Sequence, residues 1–391
     1  MLSCRILHQP KEMRQRTIRL RRARCLFAYW QNGQLCFHNF ATRRTVSGKP
    51  ITCELLAFFD RWRTSREAVK HFAEYTQRSV RSTLAQLVKL GLLLRNDSPE
   101  RKRDGRIANE WSAWLPQGSF HFCTKDAIYV DRSNWSSDRL KAILPKTPQP
   151  KLFKIVKGAA KTLLPSRVFP DSEFVRVLMS RKTHRQFSKQ QLPLETVSQL
   201  LSLVWGVNGY LYTRRFGRLL HKTSPSGGAR HPGEVYLMAL RVKGLKAGLY
   251  HYQPATHQLE TISTKTSPKK AWLYCARQHF VKNAAALFLM TAVFERTMWK
   301  YQHVRAYRVV LLDAGHLCQT FCLAATWLGL APFCTAALKD TLIERELGID
   351  GIGESVLYVA GVGLPTTSVR ARRQFSRNAG RHAANPSKGE V

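Results

Sequence analysis

An apolar run at Ala284–Phe294 constrains the fold of this 391-residue chain more than any other feature. Its length and composition are typical of a buried strand. Helical and strand patterns alternate around it: helices at 194–204 and 307–328, strands at 234–242 and 354–362, and a hairpin formed by 248–252 and 258–262. The alternation predicts an α/β or α+β domain of about 200 residues, without an internal repeat.

A second apolar stretch, Phe321–Leu338, is long enough to raise the question of a membrane span. Gly329 and Pro332 interrupt it, so a buried helix followed by a strand fits it better. The first 25 residues carry arginines where a signal peptide would have its apolar segment. The nine cysteines include no Cys-x-x-Cys pair, which argues against a disulfide framework or a zinc ribbon. We therefore predict a cytoplasmic protein that is not embedded in a membrane.

The chain is strongly basic, with 63 Lys and Arg against 25 Asp and Glu and a formal net charge of +38. Residues 1–25 and 366–391 contribute about +7 and +5, so most of the excess lies in the folded body. Between Phe174 and Lys339 there are five carboxylates against 23 lysines and arginines. Such a body attracts anions, and the charge is compatible with a phosphate-bearing cofactor, an acidic peptide or a nucleic acid.

The N-terminal part has the pattern of a small winged-helix-like domain. Asn32-Gly33, between two apolar and aromatic runs, predicts a β-hairpin with a type I′ turn. Three helical patterns follow at 52–61, 64–76 and 79–90, and Leu92–Leu94 restarts as a strand. The predicted boundaries are a basic arm at 1–22, the winged-helix-like domain at 23–96, a linker and connecting segment at 97–165, the larger domain at 166–366 and a basic tail at 367–391.

Two loops have compositions suited to an anion or a flat ligand. Ser180–Phe187 combines three fixed positive charges with a hydroxyl, which suits a phosphate, although a solvated basic loop is the simpler interpretation. Ser224–Pro232 leads into a strand and contains Gly227-Gly228, whose backbone N–H groups can approach a ligand closely. On its own, a pair of glycines before a strand more often marks only a turn.

Lys300-Tyr301 is the candidate for proton transfer. The pair lies between the buried strand and the long helix, with four basic residues nearby: Arg296, His303, Arg305 and Arg308. Neighbouring cations favour a neutral amine, which makes Lys300 a candidate general base; a surface lysine beside a core tyrosine is the alternative. Cys318 and Cys322, one helical turn apart, could bind a metal, but so apolar a helix favours packing, and no metal site is predicted.

Several segments, in register from about Phe174 to Pro365, resemble one known family. In order they are Arg-Lys-Thr-His-Arg-Gln-Phe, Leu-Ser-Leu-Val-Trp-Gly-Val-Asn-Gly, Pro-Ser-Gly-Gly-Ala-Arg-His-Pro-Gly-Glu-Val-Tyr, Gly-Leu-Tyr-His-Tyr, Lys-Tyr and Leu-Leu-Asp-Ala-Gly-His-Leu. The order resembles the SagB-type dehydrogenases, the thiazole/oxazole oxidase branch of the FMN-dependent nitroreductase superfamily. The N-terminal domain resembles the PqqD-like element that binds leader peptides by strand addition. The implied fold class is α+β, a mixed sheet wrapped by helices and preceded by the small winged-helix-like domain.

The resemblance implies FMN as cofactor and a set of site residues. The residues implied to hold the flavin phosphate and the pyrimidine edge of the ring are Arg181, Lys182, Thr183 and Arg185. The loop implied to lie along the flavin ring consists of Pro225, Ser226, Gly227 and Gly228. Gly361 and Gly363 are implied to lie in a stretch near the phosphate. Lys300-Tyr301 matches the pair that serves acid/base catalysis in azoline oxidases. Because the flavin of this superfamily commonly sits at a dimer interface, a homodimer is implied as well.

The implied activity is FMN-dependent oxidation of thiazoline or oxazoline to thiazole or oxazole on a ribosomally made peptide. An acidic leader on the peptide and a partner cyclodehydratase are compatible with this activity. Two other functions stay open: an NAD(P)H-dependent reductase of small molecules, and a nucleic-acid-binding protein with a non-catalytic flavin fold. In the last case the winged helix would present Arg78, Arg81 and Lys89 to phosphates.

Overall fold

The computed structural model describes residues 17–129, 151–154, 156–165 and 168–366. The chain divides between Thr124 and Lys125 into two compact units, called here the N-terminal unit and the C-terminal unit. The predicted basic tail at 367–391 and most of the predicted arm at 1–22 lie outside the described residues.

Within residues 17–124, the N-terminal unit combines five strands with five α-helices. The strands are β1 Leu20–Arg22, β2 Leu26–Gln31, β3 Gln34–Asn39, β4 Arg44–Gly48 and β5 Leu93–Arg95, and the helices are α1 Ile51–Phe58, α2 Ser65–His71, α3 Gln77–Lys89, α4 Glu100–Glu110 and α5 Leu115–Thr124. Strands β2, β3 and β4 form an antiparallel sheet, and β1 pairs with β5. The unit therefore contains the hairpin, three helices and closing strand that the sequence predicts.

Two local motifs start elements of this unit where the sequence indicates. Asn32 and Gly33 have φ angles of 49° and 75°, the left-handed pair that a type I′ turn requires. At the start of α2, the Thr64 hydroxyl accepts the N–H of Glu67, and the Glu67 carboxylate accepts the N–H of Thr64. This reciprocal capping box satisfies two N–H groups that the helix itself cannot pair.

The extent of the unit differs from the predicted boundaries at both ends. Strand β1 lies within the predicted arm, and α4 and α5 occupy part of the predicted connecting segment. Helix α4 belongs to the unit because the buried Asp104 carboxylate accepts the N–H groups of Arg24 and Cys25, at 2.8 and 3.0 Å. A bond between residues so far apart in the sequence has no local signal.

The C-terminal unit is built around a six-stranded sheet. Its helices are α6 Glu173–Ser180, α7 Leu194–Trp205, α8 Pro268–Tyr274, α9 Glu295–Met298, α10 Ala306–Trp327 and α11 Asp340–Leu347, and its strands are β6 Leu192–Pro193, β7 Gly209–Thr213, β8 Gly217–His221, β9 Gly233–Ala239, β10 Val242–Lys243, β11 Gly248–Gln253, β12 Gln258–Ser263, β13 Ala286–Val293, β14 Ala331–Thr335 and β15 Glu354–Gly363. The sheet order is β12-β11-β9-β13-β15-β14, and every neighbouring pair is antiparallel. Among the described strands, the parallel part of the expected mixed sheet is limited to β6 with β10.

Both faces of the central strand β13 are buried, which explains its apolar sequence. Because successive side chains point to opposite faces, Phe288 and Met290 join a core with α7 and α10, whereas Leu287 and Leu289 join a core with α8 and α11. The prediction of a buried strand is confirmed, and the sheet lies between two layers of helices.

Helix α10 is the one helix of the described residues that is long and apolar enough to cross a membrane. Nine of its residues are buried, among them Asp313 and Phe321. Phe321 packs against Trp205 of α7 and Phe288 of the sheet, with ring centres 6.1 and 4.9 Å apart. The helix is therefore part of the core of this unit, and β14 follows it, as the sequence predicts for residues 321–338.

The segment that opens the C-terminal unit is anchored at helix α11. Lys125 Nζ donates to Glu344 Oε1 at 2.6 Å and to the Gly351 carbonyl at 3.0 Å. The Asp126 carboxylate accepts the N–H of Thr341 at 3.0 Å, close to the start of the helix. The side chains of Lys125 and Glu344 are 5% and 7% exposed, so this ion pair lies inside the protein.

Candidate functional site

The loop between β8 and β9 has an unusual backbone. Gly228, Ala229 and His231 have φ angles of 62°, 54° and 44°. Left-handed conformations are available to glycine without strain, but at other residues they cost roughly 1–3 kcal/mol. Such residues persist only where their surroundings fix them, and they cluster at ligand sites. The backbone of the predicted loop 224–232 is therefore one that its surroundings must hold in place.

Asp313 on α10 holds this loop in place. Its carboxylate accepts the Ser226 hydroxyl at 2.6 Å and the Gly227 N–H at 3.3 Å. Burial raises the pKa of the Asp313 carboxyl, and the bonds from Ser226 and Gly227 act in the opposite direction. Ser226 Oγ also accepts the N–H of His231 at 2.9 Å. Ser226, predicted to belong to the loop along a flavin ring, thus uses its hydroxyl to hold that loop.

The Asp313→Ala variant is expected to lose about 1–3 kcal/mol of unfolding free energy, because it leaves the Ser226 hydroxyl and the Gly227 N–H without their acceptor. The Asp313→Asn variant keeps an acceptor oxygen and should lose less. Denaturant unfolding of both variants at neutral pH measures the difference. Equal stability of the alanine variant and the parent protein would contradict this role of Asp313.

His231 makes the loop sensitive to acid. Burial lowers the pKa of His231 to about 4 from its usual 6.5, and the charge of Lys222 acts in the same direction. The ring Nε2–H donates to the Leu220 carbonyl at 3.2 Å. Because the folded state favours the neutral ring, the stability that His231 contributes is present above pH 6.5 and is lost as the pH falls towards 4.

The His231→Gln variant should therefore show a shallower loss of unfolding free energy between pH 6.5 and 4 than the parent protein. Glutamine keeps an N–H donor for the Leu220 carbonyl but does not titrate. Denaturant unfolding curves at several pH values across this range measure the two slopes. Identical slopes would show that His231 titrates alike in the folded and unfolded chains.

Lys300 and Tyr301 follow α9 and lie directly against Gly228. A Cβ on Gly228 would collide with Tyr301 Oη and lie 2.6 Å from Lys300 Nζ. The φ angle of 62° favours glycine here, and the ends of these two side chains occupy the space beside it. The structure thus brings the predicted acid/base pair to the predicted ring-facing loop, although the two are far apart in the sequence.

Two aromatic rings lie close to the Lys300 amine. Nζ lies 4.4 Å from the ring centre of Phe216 and 5.2 Å from that of Tyr301. Phe216 meets Trp299 edge to face at 6.2 Å, and the Arg230 guanidinium lies 5.2 Å from the Trp299 ring. Within the part of the chain that the structure describes, no carboxylate lies within ion-pair distance of Lys300. The amine therefore lies beside aromatic rings rather than beside a carboxylate.

The basic segment at residues 181–185 begins at the end of α6 and runs beside β14, where the His184 N–H donates to the Pro332 carbonyl at 2.9 Å. Arg181 is partly exposed, and Lys182, Thr183 and Arg185 are exposed. Considering only the described residues, none of the three cations is within ion-pair distance of a carboxylate. Two guanidinium groups, an ammonium and a hydroxyl without acidic partners form a donor set that fits a phosphate.

Gly361 and Gly363 lie in β15 and are buried. A Cβ on Gly361 would collide with the Phe333 ring, and a Cβ on Gly363 would lie 2.9 Å from the Cβ of Phe187. Both glycines therefore make room for aromatic packing. The basic segment ends at Arg185, and Phe187 comes two positions later. Phe187 therefore links Gly363 to the segment that is predicted to bind the phosphate.

Helix α10 links the loop and the basic segment. Asp313 of this helix binds the loop, and the Thr320 hydroxyl forms a hydrogen bond with the Ser224 hydroxyl at 2.7 Å. Further along the helix, the positive charge of Arg181 acts on Cys322. From Asp313 to Cys322 the helix rises about 14 Å. The loop and the basic segment thus lie along one helix, an arrangement that suits an elongated ligand with a phosphate at one end.

Three further residues belong to this site but are not among the predicted ones: Asp313, Phe216 and Lys222. Asp313 has a sequence signal, because it is one of only five carboxylates between Phe174 and Lys339. Phe216 lies in the turn of the short β7–β8 hairpin, which has no signal. Lys222 Nζ donates to the Trp205 carbonyl at 2.9 Å, and burial lowers its pKa.

Comparisons with known proteins give matches to part of this chain. The model of the nitroreductase family matches residues 178–364. The trifolitoxin-processing protein TfxB of Rhizobium leguminosarum bv. trifolii is 32% identical over 171 residues, 43% of this chain and 46% of that protein. A nitroreductase-like protein of Methanocaldococcus jannaschii is 32% identical over 183 residues, 46% of this chain and 88% of that protein. The microcin B17-processing protein McbC of Escherichia coli is 27% identical over 167 residues, 41% of this chain and 58% of that protein. The chain thus spans about half the length of the two processing proteins.

Proposed function

Because the chain belongs to the nitroreductase family, we propose that it is an FMN-dependent dehydrogenase of a ribosomally made peptide, oxidising thiazoline or oxazoline to thiazole or oxazole. The observation that carries the proposal is the position of Lys300 and Tyr301 against Gly228 of the strained loop. A plain nitroreductase activity does not require this acid/base pair. Two relatives process trifolitoxin and microcin B17, which supports a peptide substrate.

The proposed FMN site uses residues whose chemistry fits the cofactor. Arg181, Lys182, Thr183 and Arg185 would hold the phosphate, since they are accessible and, among described residues, lack acidic partners. The loop from Pro225 to Gly228 would lie along the flavin ring and offer backbone rather than the Ser226 hydroxyl, which Asp313 occupies. Gly361 and Gly363 would support the site through their packing on aromatic side chains. When bound, FMN supplies the acceptor for a hydride.

In the proposed reaction the ring carbon that was a Cα loses a proton and the adjacent carbon loses a hydride, so the azoline loses two hydrogens and becomes aromatic. Lys300 takes the proton at its Nζ, and Tyr301, whose ring lies 5.2 Å away, assists from the same side of Gly228. Trp299, which is 60% exposed, and Phe216 form an apolar wall beside the amine.

The N-terminal unit is the proposed site of leader-peptide recognition. In its sheet β2 is an edge strand, and Trp30 and Tyr29 on this strand are 69% and 40% exposed. An extended peptide can add to such an edge through main-chain hydrogen bonds. The net charge of +38 favours an acidic leader. A cyclodehydratase that makes the azoline is the proposed partner enzyme, and the cytoplasm the proposed location.

A homodimer is part of the proposal. Helix α6 has no buried residue and exposes Phe174, Leu178 and Met179. On α10, which contacts α6, Leu311 and Leu312 are exposed as well. Exposed apolar side chains on two contacting helices can mark a surface for association with another chain. A second copy of the chain is the proposed occupant, and sedimentation at twice the chain mass of 44.7 kDa is the expected result.

The test begins with the purified full chain. It is expected to be yellow or to become so with added FMN, and to remove two hydrogens from a thiazoline-containing peptide, as measured by mass spectrometry. Rapid NAD(P)H oxidation without any peptide, combined with no effect on the thiazoline, would favour the small-molecule reductase. A protein that takes up no flavin and binds DNA or RNA with a steep salt dependence would support the nucleic-acid alternative.

A further inference from the structure

Three cysteine thiols converge outside the residues proposed for cofactor binding and proton transfer. The Sγ atoms of Cys318, Cys322 and Cys334 all lie within 4.8 Å of one another. Cys318 and Cys322 are one turn apart on the buried side of α10, and Cys334 lies on β14, at the edge of the sheet. We infer that these thiols bind a thiophilic metal ion, Zn²⁺ or Cu⁺, in a site with three sulfur ligands.

The short connection between α10 and β14 fixes the position of the third sulfur. Gly329 has a φ of 72° and ends the helix. The N–H groups of Gly329 and Leu330 donate hydrogen bonds to the carbonyls of Thr326 and Ala325, at 3.1 and 2.8 Å. Strand β14 then pairs with β15, with Cys334 opposite Ala360. Hydrogen bonds fix both the end of α10 and the register of β14. The three sulfurs are therefore held in place without a metal.

The spacing of the sulfurs suits a metal better than a disulfide. A zinc–sulfur distance of about 2.3 Å places three sulfurs around one ion about 4 Å apart. Sulfurs already within 4.8 Å of one another need to move by less than 1 Å to reach this arrangement. A disulfide requires about 2.05 Å between two sulfurs and would leave the third thiol without a role.

The surroundings of the cluster suit thiolate ligands. Tyr358 Oη donates to Cys334 Sγ at 3.2 Å, and the positive charge of Arg181 acts on both Cys322 and Cys334. A hydrogen-bond donor and a cation both offset the negative charge that three thiolates leave around a monovalent or divalent ion. Thiolates in turn select Zn²⁺ and Cu⁺ over harder ions.

Burial also distinguishes this cluster from ordinary cysteine packing. Cys318 and Cys322 are 4% and 6% exposed, whereas Cys334 is only partly buried. Cys275 provides the contrast, because it is fully buried in the other core of the unit among apolar side chains. Packing accounts for a lone buried cysteine, but it does not account for three sulfurs that point at one another.

The test is a titration of the reduced, metal-free full chain with Co²⁺, followed by Zn²⁺ and Cu⁺. One equivalent of Co²⁺ is expected to produce a sulfur-to-cobalt charge-transfer band that Zn²⁺ then abolishes, with protons released by the thiols that bind. Cys322→Ala should weaken Zn²⁺ binding by at least about 100-fold, and Tyr358→Phe by about 10-fold. The matched control Cys275→Ala should bind Zn²⁺ like the parent protein.

Metal binding that survives in the triple variant Cys318→Ala/Cys322→Ala/Cys334→Ala would overturn the inference, as would the lack of a charge-transfer band at saturating Co²⁺. A disulfide between Cys334 and α10 in anaerobically purified protein would also overturn it and would assign the cluster to redox chemistry. Circular dichroism verifies the fold of each variant. Should Cys322→Ala not fold, Cys334→Ser at the partly exposed edge provides the same comparison.

Discussion

The Lys300→Ala variant is expected to retain its flavin and to lose turnover by about 10²–10⁴-fold, the range for removal of a positioned general base. The reason is geometric: Lys300 Nζ reaches the loop at Gly228 between the rings of Phe216 and Tyr301. The segment proposed to hold the phosphate is separate, so cofactor content should not change. The measurement is the rate of hydrogen removal from a thiazoline peptide by mass spectrometry, with flavin content per chain determined in parallel.

A second lysine offers a matched control for this experiment. Lys282 Nζ lies 4.6 Å from the ring centre of Trp272, so it also packs on an aromatic ring, but outside the site. Lys282→Ala should keep full turnover. Small primary amines added to Lys300→Ala should restore part of the rate, because they can accept the proton in place of the side chain. Unchanged turnover in Lys300→Ala, or a loss that only parallels loss of flavin, would contradict the assignment of the base.

Elements governed by local rules could be predicted from the sequence. The Asn32-Gly33 turn and the Thr64 capping box need only residues within four positions of one another, and both are present. The apolar strand at 286–293 was also predictable, because burial on both faces removes polar residues from its sequence. The long helix α10 follows the same logic, since its apolar character comes from its place against the sheet.

Elements that depend on distant partners could not be predicted in this way. Helix α4 has a charged sequence with Gly105 in its middle, which resembles a linker, yet Asp104 ties it to the backbone near Arg24. The approach of Lys300 to Gly228 likewise follows from the tertiary fold. Only the order of motifs, through the family resemblance, pointed to it.

The thiol cluster shows the same limit for the site residues. Cys318 and Cys322 have helical spacing that is visible in the sequence, and packing was the favoured interpretation. Cys334 adds the third sulfur only through the turn at Gly329 and the register of β14 on β15. The prediction that no metal site exists therefore rested on two of the three thiols. Strand register is what brings the third thiol to the other two, and spacing alone does not encode it.

The Lys125→Ala variant is expected to lose about 3–5 kcal/mol of unfolding free energy at neutral pH, because it leaves a buried carboxylate without its cation. Glu344 is 7% exposed, and apart from Lys125 its carboxylate accepts the Ser355 hydroxyl. Burial already raises the pKa of Glu344, while Lys125 lowers it. Without Lys125 the carboxyl should protonate more readily, so the loss should shrink as the pH falls. Denaturant unfolding at neutral and acidic pH measures both effects.

Two comparisons separate burial from charge in this prediction. Lys270 and Glu346 form an ion pair of the same length, 2.6 Å, but their side chains are 32% and 25% exposed. Lys270→Ala should therefore cost at most about 1 kcal/mol. The double variant Lys125→Met/Glu344→Leu replaces the buried pair with apolar side chains and should recover most of the loss, since no unpaired charge remains. A double variant as unstable as Lys125→Ala would mean that the Lys125 bond to the Gly351 carbonyl, rather than the charge of Glu344, anchors the start of the unit.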